Sequence, residues 1–191
     1  MRPVKVLRGR RVLLHALDEL HAEGPYLAWL KDSTVTRFLE ARFTEYTLER
    51  LRCYIRSENE RTDVVFFGIF SRSDGRLIGT LRLSTIRKRH RNCEIGLMIG
   101  DRTMWGRGCA TEAIELACQY AFETLDLHRV VAGCYSTNLA SIRAFGKAGF
   151  EQEGCMREDR LDGVDWVDTV ILGVLNPTPA KARSTSARKM S

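Results

Sequence analysis

A chain of 191 residues with 44% apolar and 28% charged side chains has an ordinary globular composition and the length to bury one sizeable core. No apolar run approaches the roughly 20 residues of a membrane helix, and the basic stretch Met1 to Arg11 lacks the apolar segment of a secretion signal. The net charge of +6 is uneven: residues 177–191 carry Lys181, Arg183, Arg188 and Lys189 and no acid, so they read as a flexible basic tail on a single domain spanning 1–176.

Arg11 to Ala16 reads as a first strand, and Asp18 caps a helical region running through Ala28, Trp29 and Leu30. Thr47 to Asn59 is a second helix, with Leu48, Leu51, Tyr54 and Ile55 along one side. Val64 to Phe70 and Arg76 to Ile86 form a hairpin around Ser73, Asp74 and Gly75, a turn signal between two β-rich runs. Asn92 to Ile99 is the next strand. Trp105-Gly106-Arg107-Gly108-Cys109-Ala110-Thr111-Glu112-Ala113 then opens a helix in which Ile114, Ala117, Cys118, Ala121 and Leu125 recur at helical spacing. Leu127 to Tyr135 is a strand and 138–148 a helix, with Asn138 as N-cap and Gly149 at the left-handed position past its end. Phe150 to Arg157 and Trp166 to Leu175 close the sheet. Antiparallel strands early and strand–helix alternation late imply a mixed sheet with helices on both faces.

The turn from Gly106 to Thr111 directs backbone N–H groups and the positive end of a helix to one point, an arrangement that binds phosphate. Gly106 and Gly108 suit it because a Cβ would hold a ligand off the backbone or forbid a positive φ. Glycine pairs also occur in such connections for packing alone. The six cysteines, at 53, 93, 109, 118, 134 and 155, form no C-x-x-C pair, which suits reduced thiols of a cytoplasmic protein. Histidines 15, 21, 90 and 128 add no metal-ligand spacing, so no metal is expected. Arg87-Lys88-Arg89-His90-Arg91 and the group Arg2, Lys5, Arg8, Arg10 and Arg11 are either solvated loops or an attraction for RNA, the ribosome or an acidic substrate.

The segment W-G-R-G-C-A-T-E-A, followed some 25 residues on by N-x-x-S-x-x-x-F-x-x-x-G-F, resembles the GNAT superfamily of acetyl-CoA-dependent N-acetyltransferases, in its ribosomal-protein (Rim-type) branch. The likeness runs from about Val12 to Leu175 and is specific from Cys93 onward. It implies an α/β (α+β) fold: a mixed, mostly antiparallel central sheet of about seven strands, helices on both faces and a splayed cofactor cleft. It implies acetyl-CoA as co-substrate, its pyrophosphate on the backbone of Gly106, Arg107, Gly108, Cys109, Ala110 and Thr111. Met98 and Ile99 would offer main-chain groups to the pantetheine arm, and Asn138 would combine capping with a cofactor contact. Trp105 stands where other branches have glutamine or arginine, which a backbone site tolerates.

Glu94 matches a strand carboxylate that serves as base through a water, or it is a structural acceptor. Many relatives have a tyrosine at the position of Phe145 to protonate the leaving thiolate. Phe145 has no such proton, and Ser141 takes that place or merely bonds local backbone. Arg107, Arg143 and Lys147 either reach the phosphates or are solvated, and Arg157 and Asp168 either pair across the last strands or border the acceptor. The acceptor implied is a primary amine, of a protein N-terminus or a small molecule. An RNA-linked amine such as aminoacyl-tRNA and a non-catalytic acyl-CoA-binding module are the alternatives. No membrane partner is implied, and a homodimer stays open.

Overall fold

The computed structural model describes residues 6–177. Its strands are β1 Leu7–Arg8, β2 Val12–Ala16, β3 Val65–Ser71, β4 Leu77–Arg87, β5 Asn92–Ile99, β6 Arg129–Tyr135, β7 Glu151–Asp162 and β8 Asp165–Leu175. They join in one sheet ordered β1-β2-β3-β4-β5-β6-β8-β7, antiparallel throughout except for β5 against β6. The strand beyond the seven expected is the two-residue β1, too short to give a periodic signal. The helices are α1 Tyr26–Lys31, α2 Ser33–Thr36, α3 Leu48–Glu60, α4 Cys109–Glu123 and α5 Leu139–Lys147.

Strand alternation divides the core. On one face Leu14, Phe67, Ile69, Leu81 and Leu83 pack against Ala113, Ile114, Ala117 and Ala121 of α4. On the other, Phe66 and Met98 pack with Tyr26, Trp29 and Leu30 of α1 and Leu51 and Ile55 of α3. β3 is buried along its whole length because it contributes to both layers. Truncating the fully buried Phe67 to alanine would cost about 3–5 kcal/mol.

Three stretches differ from the sequence reading. The helix expected from Asp18 to Leu30 is broken: Asp18 caps a 3-10 turn, Glu19–Glu23, and α1 starts only after Gly24 and Pro25. Proline has no N–H to continue the earlier turn. The stretch after Leu30, with no periodic pattern, holds α2 and a 3-10 turn at Glu40–Phe43. β7 runs on to Asp162 as the exposed, polar arm of a hairpin, bulged where Glu158 has φ +50°. Asp168 supports that bulge: its carboxylate accepts from the Glu158 N–H at 3.0 Å and from Cys155 Sγ at 3.3 Å.

What positions the site is a fork in the sheet. β5 and β6 pair over three positions only, ending at Glu94 opposite Val131. Beyond them β5 continues to Ile99 and β6 to Tyr135 without pairing to each other. The sheet therefore opens as a wedge.

Candidate active site

The wedge joins two cavities, about 810 Å³ beside α1 and α3 and about 530 Å³ toward α4 and α5. Leu97, Met98, Asn138 and Ser141 line both, so the two spaces meet at the start of α5.

The smaller cavity is walled largely by main chain. After β5 a 3-10 turn, Arg102–Met104, leads to Trp105, whose indole N–H donates to the Ile99 carbonyl at 2.7 Å and ties the turn to the strand end. Gly106 and Gly108 have φ of +71° and +79°, and Gly108 caps α4 with no side-chain hydrogen bond. Other residues pay about 1–2 kcal/mol for that left-handed backbone. The end of α4 is thus open, with Cys109, Ala110 and Thr111 lining the cavity. Glu112, the acid of that first turn, reaches back to accept the N–H groups of Arg10, Arg11 and Val12 at 2.8, 2.7 and 2.9 Å. Its charge is taken up there, and the Arg11 guanidinium comes to lie beside Gly108.

Arg143 and Lys147 of α5 line the same cavity, whereas Arg107 is exposed and is not among its lining residues. The Cys109 thiol is buried and burial pushes its pKa up. The Ile99 carbonyl already holds the indole, which leaves that group one lone pair for any further donor.

At the junction Asn138 Oδ1 accepts from the Ser141 N–H at 3.1 Å, capping α5 as expected. Ser141 Oγ lies 3.3 Å from Cys134 Sγ on β6. Burial pushes the Cys134 thiol up, against a smaller opposing effect of the serine, so it keeps its proton at neutral pH. Phe145 is core, edge-to-face with Phe150 at 4.9 Å. Glu94 stands at the fork itself, half exposed, 3.6 Å from Arg87 Nη2, and lines the larger cavity with Asn138 and Ser141. Of the residues expected at the site, Arg107, Arg157 and Asp168 line neither cavity, and the others border one or the other.

Side chains dominate the larger cavity. Residues 38–46 roof it and are clasped to the β7–β8 hairpin. Arg37 donates to both oxygens of Asp162, at 3.2 and 3.0 Å, and Thr137 Oγ donates to Asp162 at 2.9 Å. Arg42 donates to the carbonyls of Arg37 and Leu161. Glu40 accepts from Tyr135 Oη at 3.0 Å and from Arg160 Nη1 at 2.8 Å. Arg37 and then Thr137 hold the Asp162 carboxyl below the usual range, while burial and then Glu40 push Tyr135 up. Sequence reasoning missed this clasp, since Arg37 and Asp162 lie 125 positions apart and neither sits in a periodic pattern.

The basic run at 87–91 lies at the surface, with two of its arginines paired within the fold. Arg87 faces Asn92 and Glu94, and Arg91 pairs with Asp126 at 2.7 Å. The expected tail, 177–191, lies outside the described residues from 178 onward. Among the described residues no group of three His, Cys, Asp or Glu side chains is placed to hold a metal, and no helix is long and apolar enough to cross a membrane. All six cysteines are free, four of them buried.

Comparison with known proteins agrees with this geometry. An acetyltransferase (GNAT) domain description matches residues 11–151. The "Probable N-acetyltransferase YjcK" of Bacillus subtilis is 43% identical over 138 residues, 71% of this chain and 70% of that protein. The ribosomal protein uS5-alanine N-acetyltransferase of Escherichia coli is 29% identical over 119 residues, 61% of each. The crystal structure of spermidine N-acetyltransferase from Vibrio cholerae in complex with CoA and spermine has the same fold. It superposes with a TM-score of 0.77 at 20% identity, over 87% of this chain and 96% of that one.

Proposed function

Because the chain belongs to the GNAT acetyltransferase family and is thereby an acetyl-CoA-dependent N-acetyltransferase, we propose that it passes the acetyl group directly to a primary amine while both substrates are bound. The observation that carries this is the junction: two cavities meet at Ser141, one bounded by the open end of α4 and the other by Glu94. The smaller cavity fits coenzyme A. A Cβ at Gly106 would project into open space, α4 presents unblocked N–H groups, and Arg11, Arg143 and Lys147 surround them with positive charge. When bound, acetyl-CoA supplies the acetyl group as a thioester.

The chain's own residues then have distinct tasks. The N–H groups from Gly106 to Thr111 hold the pyrophosphate, and Met98 and Ile99 steer the pantetheine arm along the edge of β5. Glu94 takes the proton that the amine loses, through a water, as the new C–N bond forms. Ser141 gives its proton to the sulfur as the C–S bond breaks, and solvent returns one proton to the serine. With the Cys134 S–H as donor to Ser141 Oγ, the serine proton is free to point into the cavity. Asn138 fixes the start of α5 and with it the position of Ser141. The Cys134 and Cys109 thiols are both pushed up by burial, which argues against a covalent acyl-cysteine route.

The test is thiol release from acetyl-CoA against a panel of amines, with product masses read in parallel. The reading expects release that depends on the amine and a product heavier by one acetyl group. Coenzyme release that no amine accelerates would contradict it.

A further inference from the structure

We infer that the acceptor carries a carboxylate within a few bonds of its reacting amine, and that Arg82 is the residue that reads it. This rests on the transfer function proposed above. Ordinary strand alternation presents Thr80, Arg82 and Ser84 of β4 to the larger cavity. A bulge follows: three steps along β4, from Ser84 to Arg87, match two steps along β5, from Glu94 to Asn92, with Thr85 at φ +52°. The extra residue shifts the alternation by one, so Arg87 rather than Ile86 joins the cavity wall, beside Glu94. Two guanidinium groups thus share one wall, and Arg160 adds a third from the hairpin.

The opposing charges are already matched. Among the described residues lining this cavity, Glu40 is 2.8 Å from Arg160 and Glu94 is 3.6 Å from Arg87. Glu58, buried behind the wall, is shared by Arg82 at 2.9 Å and Arg61 at 3.4 Å. A polycationic acceptor would find each carboxylate engaged by an arginine. Arg82 has donors to give: among the described residues it bonds through Nη1 alone, to Glu58 and, at 3.5 Å, to Tyr54 Oη.

There is also room. The register sets Arg82 opposite Gly96, and a Cβ built on Gly96 meets nothing within 4 Å. That opening lies two residues along β5 from Glu94 on the same face, about 7 Å away. An amine near Glu94 whose carboxylate is carried on a side chain or on the next residue reaches toward Gly96, and there gains a charge-assisted hydrogen bond from Arg82.

A carboxylate so placed belongs either to a free acidic amino acid or to a peptide with an acidic residue near its N-terminus. Two matched series distinguish them: free Asp and Glu against free Asn and Gln, and short peptides with Asp or Glu in second place against Asn or Gln. The expected result is a kcat/KM advantage of about tenfold or more for the acidic member in one series. Arg82→Gln should bring that advantage close to unity through KM rather than kcat, and Arg82→Lys should restore part of it. Should Arg82→Gln fold poorly, Gly96→Val reads the same space. It should raise acceptor KM several-fold and leave acetyl-CoA affinity unchanged. Equal rates for acid and amide in both series, or a preference for spermidine over all of them, would overturn the inference while leaving acetyl transfer intact. Absence of amine-dependent thiol release with any acceptor would overturn the transfer function itself, and this inference with it.

Discussion

The two sides of the wedge are built by opposite means. Toward α4 a strand end, a glycine turn and a helix start follow one another along the chain, and main-chain groups face the cavity. Toward α1 and α3 the wall is made of side chains from β4, the roof at 38–46 and the distant β7–β8 hairpin, held by bonds such as Arg37 to Asp162. A backbone site asks little of side-chain identity beyond glycine at the turn, so it binds what all members of a family share. A side-chain site changes with each substitution, so under the proposed function selectivity for the acceptor would reside there.

The contrast yields graded expectations. The largest effect belongs to the backbone side. Gly108→Val forces a branched side chain into φ +79° and places it where a phosphate would approach. Losing two or more charge-assisted hydrogen bonds should weaken acetyl-CoA binding at least about 10²-fold by calorimetry. Far-UV circular dichroism should show α4 intact. Ser141→Ala stands at the boundary, and should lower kcat about 10²-fold with little change in acetyl-CoA affinity. If the variant turns over at the wild-type rate while chemistry limits, the serine is structural.

On the acceptor side the effects should be smaller and confined to the other substrate. Asp162→Asn loosens the clasp and should raise acceptor KM a few-fold without touching acetyl-CoA affinity. Its pH dependence has a definite sign. Arg37 depresses the Asp162 carboxyl, so the clasp is fully formed above the ordinary carboxylate pKa of about 4 and is lost only as pH falls through the lower value. Acceptor KM measured between pH 8 and about 5 should show no rise that Asp162→Asn abolishes. The smallest effect is expected from deleting residues 177–191, whose sequence has no apolar periodicity: turnover of a small amine should be nearly unchanged. A large loss there would bring the tail into the machinery.

The same contrast explains what could be read in advance. The strand before the turn, the αL glycines, and the Asn138–Ser141 cap are local features, each decided within a few residues, and the structure has them where expected. Antiparallel strands early and strand–helix alternation late likewise implied the mixed sheet with helices on both faces. By contrast, the bulge at Thr85 that moves Arg87 into the cavity leaves no mark in an alternating pattern. Residues 158–162, polar but for Leu161, carry no period, although they extend β7 to the clasp. Glu112 lay inside the recognised motif, yet its role is tertiary, bonding N–H groups about a hundred positions upstream.

The central claim is that both substrates occupy the wedge together and that the acetyl group crosses directly at Ser141. A grid of initial rates, varying acetyl-CoA and one active amine, tests it most directly. Double-reciprocal lines that intersect, with no acetyl group found on the protein by mass spectrometry after mixing with acetyl-CoA alone, are the predicted result. Parallel lines together with an acetylated Cys134 would contradict it.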